Sequence, residues 1–154
     1  MGASNNNLIT FLKEGEVERF NKHRPKRFCL RDVDLSGRVL ERVDFRGAKL
    51  ALVNFEEAKL TGARFERAYV SPVNFKKAEL VEADFSGADL IASFFNYANL
   101  QRANFSRAIL GDAEFEGADI TGASFDGAFI WGIKGLSPEQ QEMIVGQLRG
   151  SWSC

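Results

Sequence analysis

Residues 83–105 read ADFSGADLIASFFNYANLQRANF, and they belong to a longer run, from Leu30 to Ile130, that follows one unbroken rule. Every fifth residue of that run is Leu, Phe, Val or Ile, and the residue two places before it is most often Ala. A period of five matches neither the 3.6 residues of a helix turn nor the two-residue repeat of a strand. The chain must therefore turn a corner once in every five residues.

The large residues indicate how many pentads make one turn of the coil. From position 40 onward they alternate between an aliphatic residue and Phe. Any even number of pentads per turn gives columns of one kind, whereas three pentads would place Phe over Leu in every column. Because stacking of like side chains at the ~4.8 Å strand spacing is favourable, we prefer four pentads, with residues twenty apart in contact. The sequence thus predicts an all-β solenoid with a square cross-section.

The motif Ala-Asp/Asn-Leu/Phe-x-x is similar to the motif of the pentapeptide-repeat family. Residues 83–87, 88–90, 98–100, 103–105 and 118–122 carry the resemblance most closely. The resemblance covers about two-thirds of the chain. It implies a right-handed, four-sided parallel β-helix, and it implies no single function, because the known roles in the family are diverse.

The pattern divides the chain into three segments. Residues 1–27 are predicted to form an N-terminal lead-in with a capping helix, and residues 28–131 are predicted to form the β-helix. Residues 132–154 are predicted to form a C-terminal capping helix and tail, because Ser137, Pro138 and Gln140 make an N-cap, a first helical Pro and a capping box. Short helical caps at both ends would cover the open apolar ends of the solenoid.

The motifs favour a protein without catalytic activity. The one histidine, His23, and two cysteines, Cys29 and Cys154, make no metal-binding spacing and no catalytic triad, and the sequence has no phosphate or dinucleotide loop. Asp and Asn recur just before the large core residue, and we expect such a repeated residue to be solvated or to bond a corner backbone group. We therefore expect no enzyme, no catalytic residue, no cofactor and no metal.

Charge and hydropathy limit the partners and the location. The formal net charge is −1, so the whole molecule does not attract nucleic acid. No segment approaches the ~18 apolar residues of a membrane span, and the first residues lack the basic and apolar regions of a secretory signal. We expect no direct nucleic acid partner, no membrane association and a cytoplasmic location.

The charges are unevenly distributed along the chain. Residues 1–77 contain sixteen basic and ten acidic residues, whereas residues 78–130 contain two basic and nine acidic residues. The simpler interpretation is a solvated surface. The alternative is an acidic contact surface made of Glu79, Glu82, Asp84, Asp89, Asp112, Glu114, Glu116, Asp119 and Asp126.

Outward-facing apolar residues recur beside the column that runs from Leu30 to Ile130. Aromatic side chains in register on the outside suggest a protein-contact surface. The alternative is that the apolar N-terminal segment, Leu8 to Leu12, folds over them. We call this predicted surface the aromatic wall, and it comprises Leu52, Tyr69, Ile91, Phe94, Tyr97, Ile109, Phe129 and Trp131.

Three functional hypotheses remain from the sequence. The first is a non-catalytic scaffold for protein–protein interaction, with a partner that the sequence does not identify. Its partner could also be a second copy, which would give a homodimer through the C-terminal helix or the aromatic wall. The second follows from the resemblance, since Qnr-like members of the family imitate DNA and bind type II topoisomerases. The third is a purely structural role.

Overall fold

The structure is a computed structural model, and it describes residues 5–150. Two helices precede the repeats, three short strands lie within them, and one helix follows them. In chain order the elements are α1 (Asn5–Lys13), α2 (Val17–His23), β1 (Cys29–Arg31), β2 (Lys49–Ala51), β3 (Tyr69–Val70) and α3 (Pro138–Gly150). The sequence predicted one N-terminal helix, and α1 is a second, whose buried Leu8 and Leu12 lie on one face at i, i+4 spacing.

The strands pair in parallel with a constant offset of twenty residues. In register, Leu30 lies opposite Leu50, and Leu50 lies opposite Val70. Isolated parallel bridges continue this offset along the chain, as far as Glu114 opposite Lys134. Each turn of the coil therefore takes four pentads. The strands are short because the backbone reaches a corner after two or three residues.

Two columns of stacked phenylalanines fill much of the core. The ring centroids of Phe65 and Phe85 are 4.7 Å apart, and those of Phe75 and Phe95 are 5.1 Å apart, with the rings nearly parallel. Between the columns the rings meet edge to face, as in the pair of Phe75 and Phe85 at 5.6 Å and 81°. Both arrangements are favourable for aromatic rings. The stacking at twenty residues that the sequence predicted is confirmed.

We number the four outer faces by the core column beneath each of them. Face 1 covers the column Leu30 to Ile130, face 2 Leu35 to Phe115, face 3 Leu40 to Ile120, and face 4 Phe45 to Phe125. In every pentad the residue before the large core residue lies on the outer face, and the two residues after it form the corner.

The second corner residue adopts a left-handed backbone conformation at both glycine and non-glycine positions, with Pro72 as an exception. Gly87 has φ 64° and Arg67, one coil earlier, has φ 56°. This conformation costs a non-glycine residue about 1–2 kcal/mol. A backbone hydrogen bond to the next coil stabilises it, as from Arg67 N–H to Ser86 O at 3.0 Å. The stem of Arg67 then lies over Gly87, where a methyl group would be 3.6 Å from its Cγ.

Asp and Asn side chains at one repeat position, just before the large core residue, support the corners on all four faces. Each accepts a hydrogen bond from the backbone N–H two residues later, as in an Asx turn. The expectation that this repeated residue bonds a corner backbone group is confirmed at nine positions, which are Asp34, Asp44, Asn54, Asn74, Asp84, Asp89, Asn99, Asn104 and Asp119.

Helix α2 contacts the first coil through a ring and an amide. The buried ring of Phe20 packs against Phe45 at 5.4 Å and Phe28 at 5.6 Å, which continues the aromatic core beyond the repeats. The amide of Asn21 donates to the backbone O of Arg42 at 3.1 Å and accepts from the backbone N–H of Asp44 at 2.8 Å. These bonds satisfy backbone groups that have no earlier coil to pair with.

Asp44 links α2, the N-terminal segment and the first coil. Its carboxylate forms ion pairs of 2.7 Å with both Arg24 and Arg46, and the side chains of Arg24 and Asp44 are only 10% and 13% exposed. Burial alone would raise the pKa of Asp44, but hydrogen bonds from Arg46 and Arg24 outweigh it and hold this pKa well below its usual range.

Helix α3 supplies side-chain amides to the last coil. Ser137 and Gln140 form the predicted capping box, with bonds of 2.9 and 3.3 Å. The amide of Gln147 donates to Ala123 O at 3.0 Å and accepts from Phe125 N–H at 2.6 Å. One coil earlier, the equivalent groups are Ala103 O and Phe105 N–H. They bond the backbone N–H and the backbone O of a single residue, Ser124. The Gln147 amide therefore takes the place of peptide groups of a further coil.

Candidate protein-contact surfaces

The structure distributes the residues of the aromatic wall over faces 1 and 2 and the corners at either side of face 2. Five of them are about half exposed, namely Leu52, Tyr69, Tyr97, Phe129 and Trp131. The remaining three, Ile91, Phe94 and Ile109, are half-buried. Seven of the eight lie on face 1, on face 2 or at the corner between these two faces, and Tyr97 alone lies at the far corner of face 2.

An exposed apolar group lies at the C-terminal end of face 1. Phe129 and Trp131 are 61% and 50% exposed, and Val145 of α3 is 40% exposed. An apolar groove of about 270 Å³ lies between Trp131 and Val145, with Ile133, Leu136 and Ile144 along it. We call Phe129, Trp131, Val145 and this groove the C-terminal apolar surface.

Trp131 is held flat on the coil below it. A methyl group at Gly111 would lie 2.2 Å from Cε2 and Cζ2 of the indole ring, so only glycine leaves room for the ring there. In the outer column of face 1, Phe129 is paired with Ile109 of the preceding coil through a parallel β-bridge. The rings of Phe129 and Trp131 therefore lie on ordered backbone, which limits the entropy that these side chains lose when a partner binds.

Leu52 and Phe94 come together at the corner between faces 1 and 2. A shallow groove of about 230 Å³ lies between them, with Pro72 in the middle. The ammonium of Lys76 lies 5.0 Å from the centre of the Phe94 ring, which is a cation–π distance. Phe94 is thus already engaged within the chain.

Tyr97 lies apart from the rest of the wall, at the corner between faces 2 and 3. Its ring covers Gly117, where a methyl group would come within 2.5 Å of Cδ1 and Cε1. Its hydroxyl donates to Glu116 at 3.3 Å. Tyr97 therefore points to the opposite side of face 2 from Trp131 and Leu52.

The described part of the N-terminal segment does not cover the wall. Leu8 and Leu12 of α1 are fully buried in the core cluster at the N-terminal end. Phe11 lies near His23, with 6.0 Å between ring centroids, and below the guanidinium of Arg19. Because Leu52 and Tyr69 remain exposed, the alternative in which this segment folds over the wall is wrong.

The nine acidic residues do not form one patch. Successive pentads face successive sides, so a run of acidic residues along the chain winds around the whole rod. Face 1 and its corner carry Asp89 and Asp112, face 2 Glu114 and Glu116, face 3 and its corner Glu79, Glu82 and Asp119, and face 4 Asp84 and Asp126.

Several of these carboxylates are already bound within the chain. Glu82 pairs with Arg102 at 3.0 Å, and Glu114 lies 3.9 Å from Lys134. Asp119 accepts hydrogen bonds from Thr121 and Gln101, which lower its pKa. These three carboxylates therefore interact with other residues of the coil, and the acidic contact surface stays a prediction.

The described range, residues 5–150, assembles no metal-binding group. No group of three His, Cys, Asp or Glu side chains in this range could hold a metal ion. His23 is exposed, and its Nδ1 lies 2.8 Å from the backbone O of Arg19. No helix in the described part of the chain is long and apolar enough to cross a bilayer.

The sequence interpretation missed two groups of residues. Val145, Ile133 and Leu136 belong to the C-terminal apolar surface, yet they follow the last repeat, where the register no longer predicts orientation. A basic groove at the corner between faces 4 and 1 was also missed. Its signal is readable, because Lys26, Arg46, Glu66 and Ser86 are spaced twenty residues apart.

Comparison with known families identifies the repeats. The chain matches a family model described as a pentapeptide repeat region over residues 38–115. The comparison with curated proteins finds no match.

Solved structures of pentapeptide repeat proteins are similar to this chain. One, from the thylakoid lumen of Arabidopsis thaliana, is 32% identical over 77% of this chain and 75% of its own, with a TM-score of 0.45. Rfr23, from the cyanobacterium Cyanothece 51142, is 22% identical over 84% and 98%, with a TM-score of 0.64. QnrB1, a plasmid-mediated fluoroquinolone resistance protein, is 18% identical over 80% and 71%, with a TM-score of 0.25.

The family match spans half of the chain, and it lies within the residues that share the twenty-residue register and the stacked core. The protein therefore belongs to the pentapeptide-repeat family of right-handed β-helices.

Proposed function

We propose that the protein is a non-catalytic scaffold that binds another protein through its C-terminal apolar surface. The observation that carries this proposal is the exposure of Phe129 and Trp131 beside an apolar groove. Aromatic residues of this kind dominate the binding energy of protein interfaces. A rod with a stacked core presents them with little rearrangement.

Replacing both rings tests this proposal. We expect the double variant Phe129→Ser, Trp131→Ser to lose at least about thirtyfold in affinity for the partner, because even one hot-spot aromatic contributes about 2 kcal/mol or more. The measurement is capture of the partner from native host extract, followed by titration of the purified partner against wild type and variant.

Leu52→Ser provides the matched control, because Leu52 is a similarly exposed apolar residue outside this surface. It should leave the affinity unchanged. Light scattering of the protein alone separates self-association from binding of a different protein. Equal affinity of the double variant and wild type would remove the proposal.

We also propose that the helices at the two ends act as caps of the solenoid, and that the rod consequently stays free of end-to-end pairing. This proposal is supported by hydrogen bonds of side-chain amides. The amide of Asn21 bonds the first coil, and the amides of Gln140 and Gln147 bond the last coil. An uncovered edge with free N–H and C=O groups would pair with another chain.

Gln147→Leu tests the C-terminal cap. It removes both amide bonds, so we expect a loss of about 1–3 kcal/mol in the free energy of unfolding, together with concentration-dependent growth in mass. Urea unfolding and light scattering measure the two effects. Gln141→Leu is the control, since the Gln141 amide bonds Leu136 O next to its own helix. A Gln147 variant as stable and monodisperse as the control would contradict the cap.

The alternative of a DNA-mimicking topoisomerase binder finds less support. Its basis is the acidic C-terminal half, but the acidic residues lie on all four faces and some pair with Arg102 or Lys134. A mimic of duplex DNA needs a dense negative surface. A gyrase supercoiling assay with and without a fluoroquinolone decides this point, and protection of the enzyme would favour the alternative.

A further inference from the structure

A basic groove lies at the corner between faces 4 and 1, near the N-terminal end of the rod. Its volume is about 570 Å³, and it is lined by Arg24, Lys26, Arg46, Gly47, Glu66, Arg67 and Ser86. Four of these residues are cationic and one is acidic. Helix α2 leads into the groove through Arg24, while the coils contribute two neighbouring columns of outward residues.

The cations of the groove differ in how firmly they are held. Arg24 and Arg46 share the Asp44 carboxylate, and Arg24 also donates to the backbone O of Arg46 at 3.3 Å, so both guanidinium groups are fixed in place. Lys26 and Arg67 form no ion pair with any residue in the range 5–150. The groove thus combines ordered guanidinium groups with unpaired positive charge, which suits a phosphoryl group.

Glu66 adds an acceptor to the same groove. Its Oε1 accepts from Arg64 at 2.8 Å, whereas its buried Oε2 has no hydrogen-bond partner among the described residues. A buried carboxylate oxygen without a donor is costly. A turn of the Glu66 side chain toward the groove would bring this oxygen to a ligand that carries a hydroxyl group beside its phosphoryl group, and the hydroxyl would then satisfy it.

We propose that this groove binds a small, hydroxyl-bearing phosphate ester. The phosphoryl group lies among Lys26, Arg67 and the two fixed guanidinium groups, and the hydroxyl donates to Oε2 of Glu66. The ligand is a soluble molecule rather than a lipid headgroup, because no large apolar side chain lines the groove to enter a bilayer.

Titration of the full chain with glycerol 1-phosphate, followed by amide chemical shifts, tests the site. We expect saturable shifts around the groove with a dissociation constant of about 1 mM or below, as for a small charged ligand. Lys26→Ala and Arg67→Gly should each weaken binding by about fivefold or more, since each removes a charge-assisted contact. Glycine suits position 67, because Gly47 and Gly87 occupy the same corner column.

Arg107→Gly is the matched control. Arg107 occupies the same corner column two coils further on, its stem lies over Gly127 as that of Arg67 lies over Gly87, and it is outside the groove. It should bind like wild type. An equal loss of affinity in this control would show that the ester responds to the general positive charge of the surface, and it would overturn the site. Chemical shifts that do not saturate would overturn it as well. Association with phosphatidic acid vesicles without binding of free ester would overturn the soluble ligand.

Glu66→Gln tests the role of the hydroxyl. This variant makes the groove more positive for every anion, so the informative quantity is the affinity for glycerol 1-phosphate divided by that for inorganic phosphate. We expect the ratio to exceed about threefold in wild type and to fall toward one in the variant, because one hydrogen bond to a charged acceptor is lost. A ratio of one in wild type would overturn the proposed ligand class.

Discussion

Phe85→Ala is expected to lower the free energy of unfolding by about 3–5 kcal/mol, the usual loss for a buried Phe. The Phe85 ring stacks on Phe65 at 4.7 Å and on Phe105 at 5.0 Å. It also meets Phe75 and Phe95 edge to face at 5.6 and 5.7 Å. Removing it opens a cavity in its own column, bordered by Phe75 and Phe95 of the other column, that the rigid coils cannot close.

Urea unfolding followed by circular dichroism measures this loss. Phe129→Ala is the control, because the same ring is removed from a position that is 61% exposed. We expect a change within about 1 kcal/mol there. If Phe85→Ala cost no more than the control, the aromatic columns would not be the main source of stability.

Asp44→Asn should cost about 3 kcal/mol, because it leaves the buried guanidinium of Arg24 without a counter-charge. Asp84→Asn is the matched control on the same face and at the same repeat position. Asp84 accepts hydrogen bonds only from Ser86 N–H and Asn104, and it forms no ion pair within residues 5–150. We expect about 1 kcal/mol for the control.

The cost of Asp44→Asn should depend on pH in a defined direction. Hydrogen bonds and ion pairs hold the pKa of Asp44 below its ordinary value of 3.8, so the folded state favours the ionised form. The resulting stabilisation is complete above about pH 5 and is lost as the pH falls toward the folded pKa. Urea unfolding at pH 7, 5 and 3 should show a smaller difference between wild type and variant at pH 3. An equal difference at pH 7 and pH 3 would contradict this role.

The core could be predicted from the sequence because each of its positions repeats. The alternation of Leu and Phe at multiples of five determines the columns, and the stacking of Phe65 on Phe85 follows from it. The Asp and Asn row was predictable for the same reason, since a residue that recurs at one repeat position performs one local task many times.

The candidate surfaces were harder to predict, because they depend on features that occur once. Tyr97 and Trp131 are both outward aromatic residues, but Trp131 lies at the corner between faces 1 and 2 and Tyr97 at the corner between faces 2 and 3. The acidic residues were grouped by their position along the chain, whereas the coil distributes neighbouring pentads around the rod. Val145 lies on α3, whose placement against the last coil depends on Gln140 and Gln147 rather than on any periodicity.

The twenty-residue register also makes the rod a ruler with fixed increments. Duplicating or deleting one whole coil would keep every ring over a ring and every aliphatic residue over another. Inserting a single pentad would instead shift each later Phe onto a Leu column. Gene duplication can therefore change the separation between the basic groove and the C-terminal apolar surface in steps of about 4.8 Å, one strand spacing, without disturbing either.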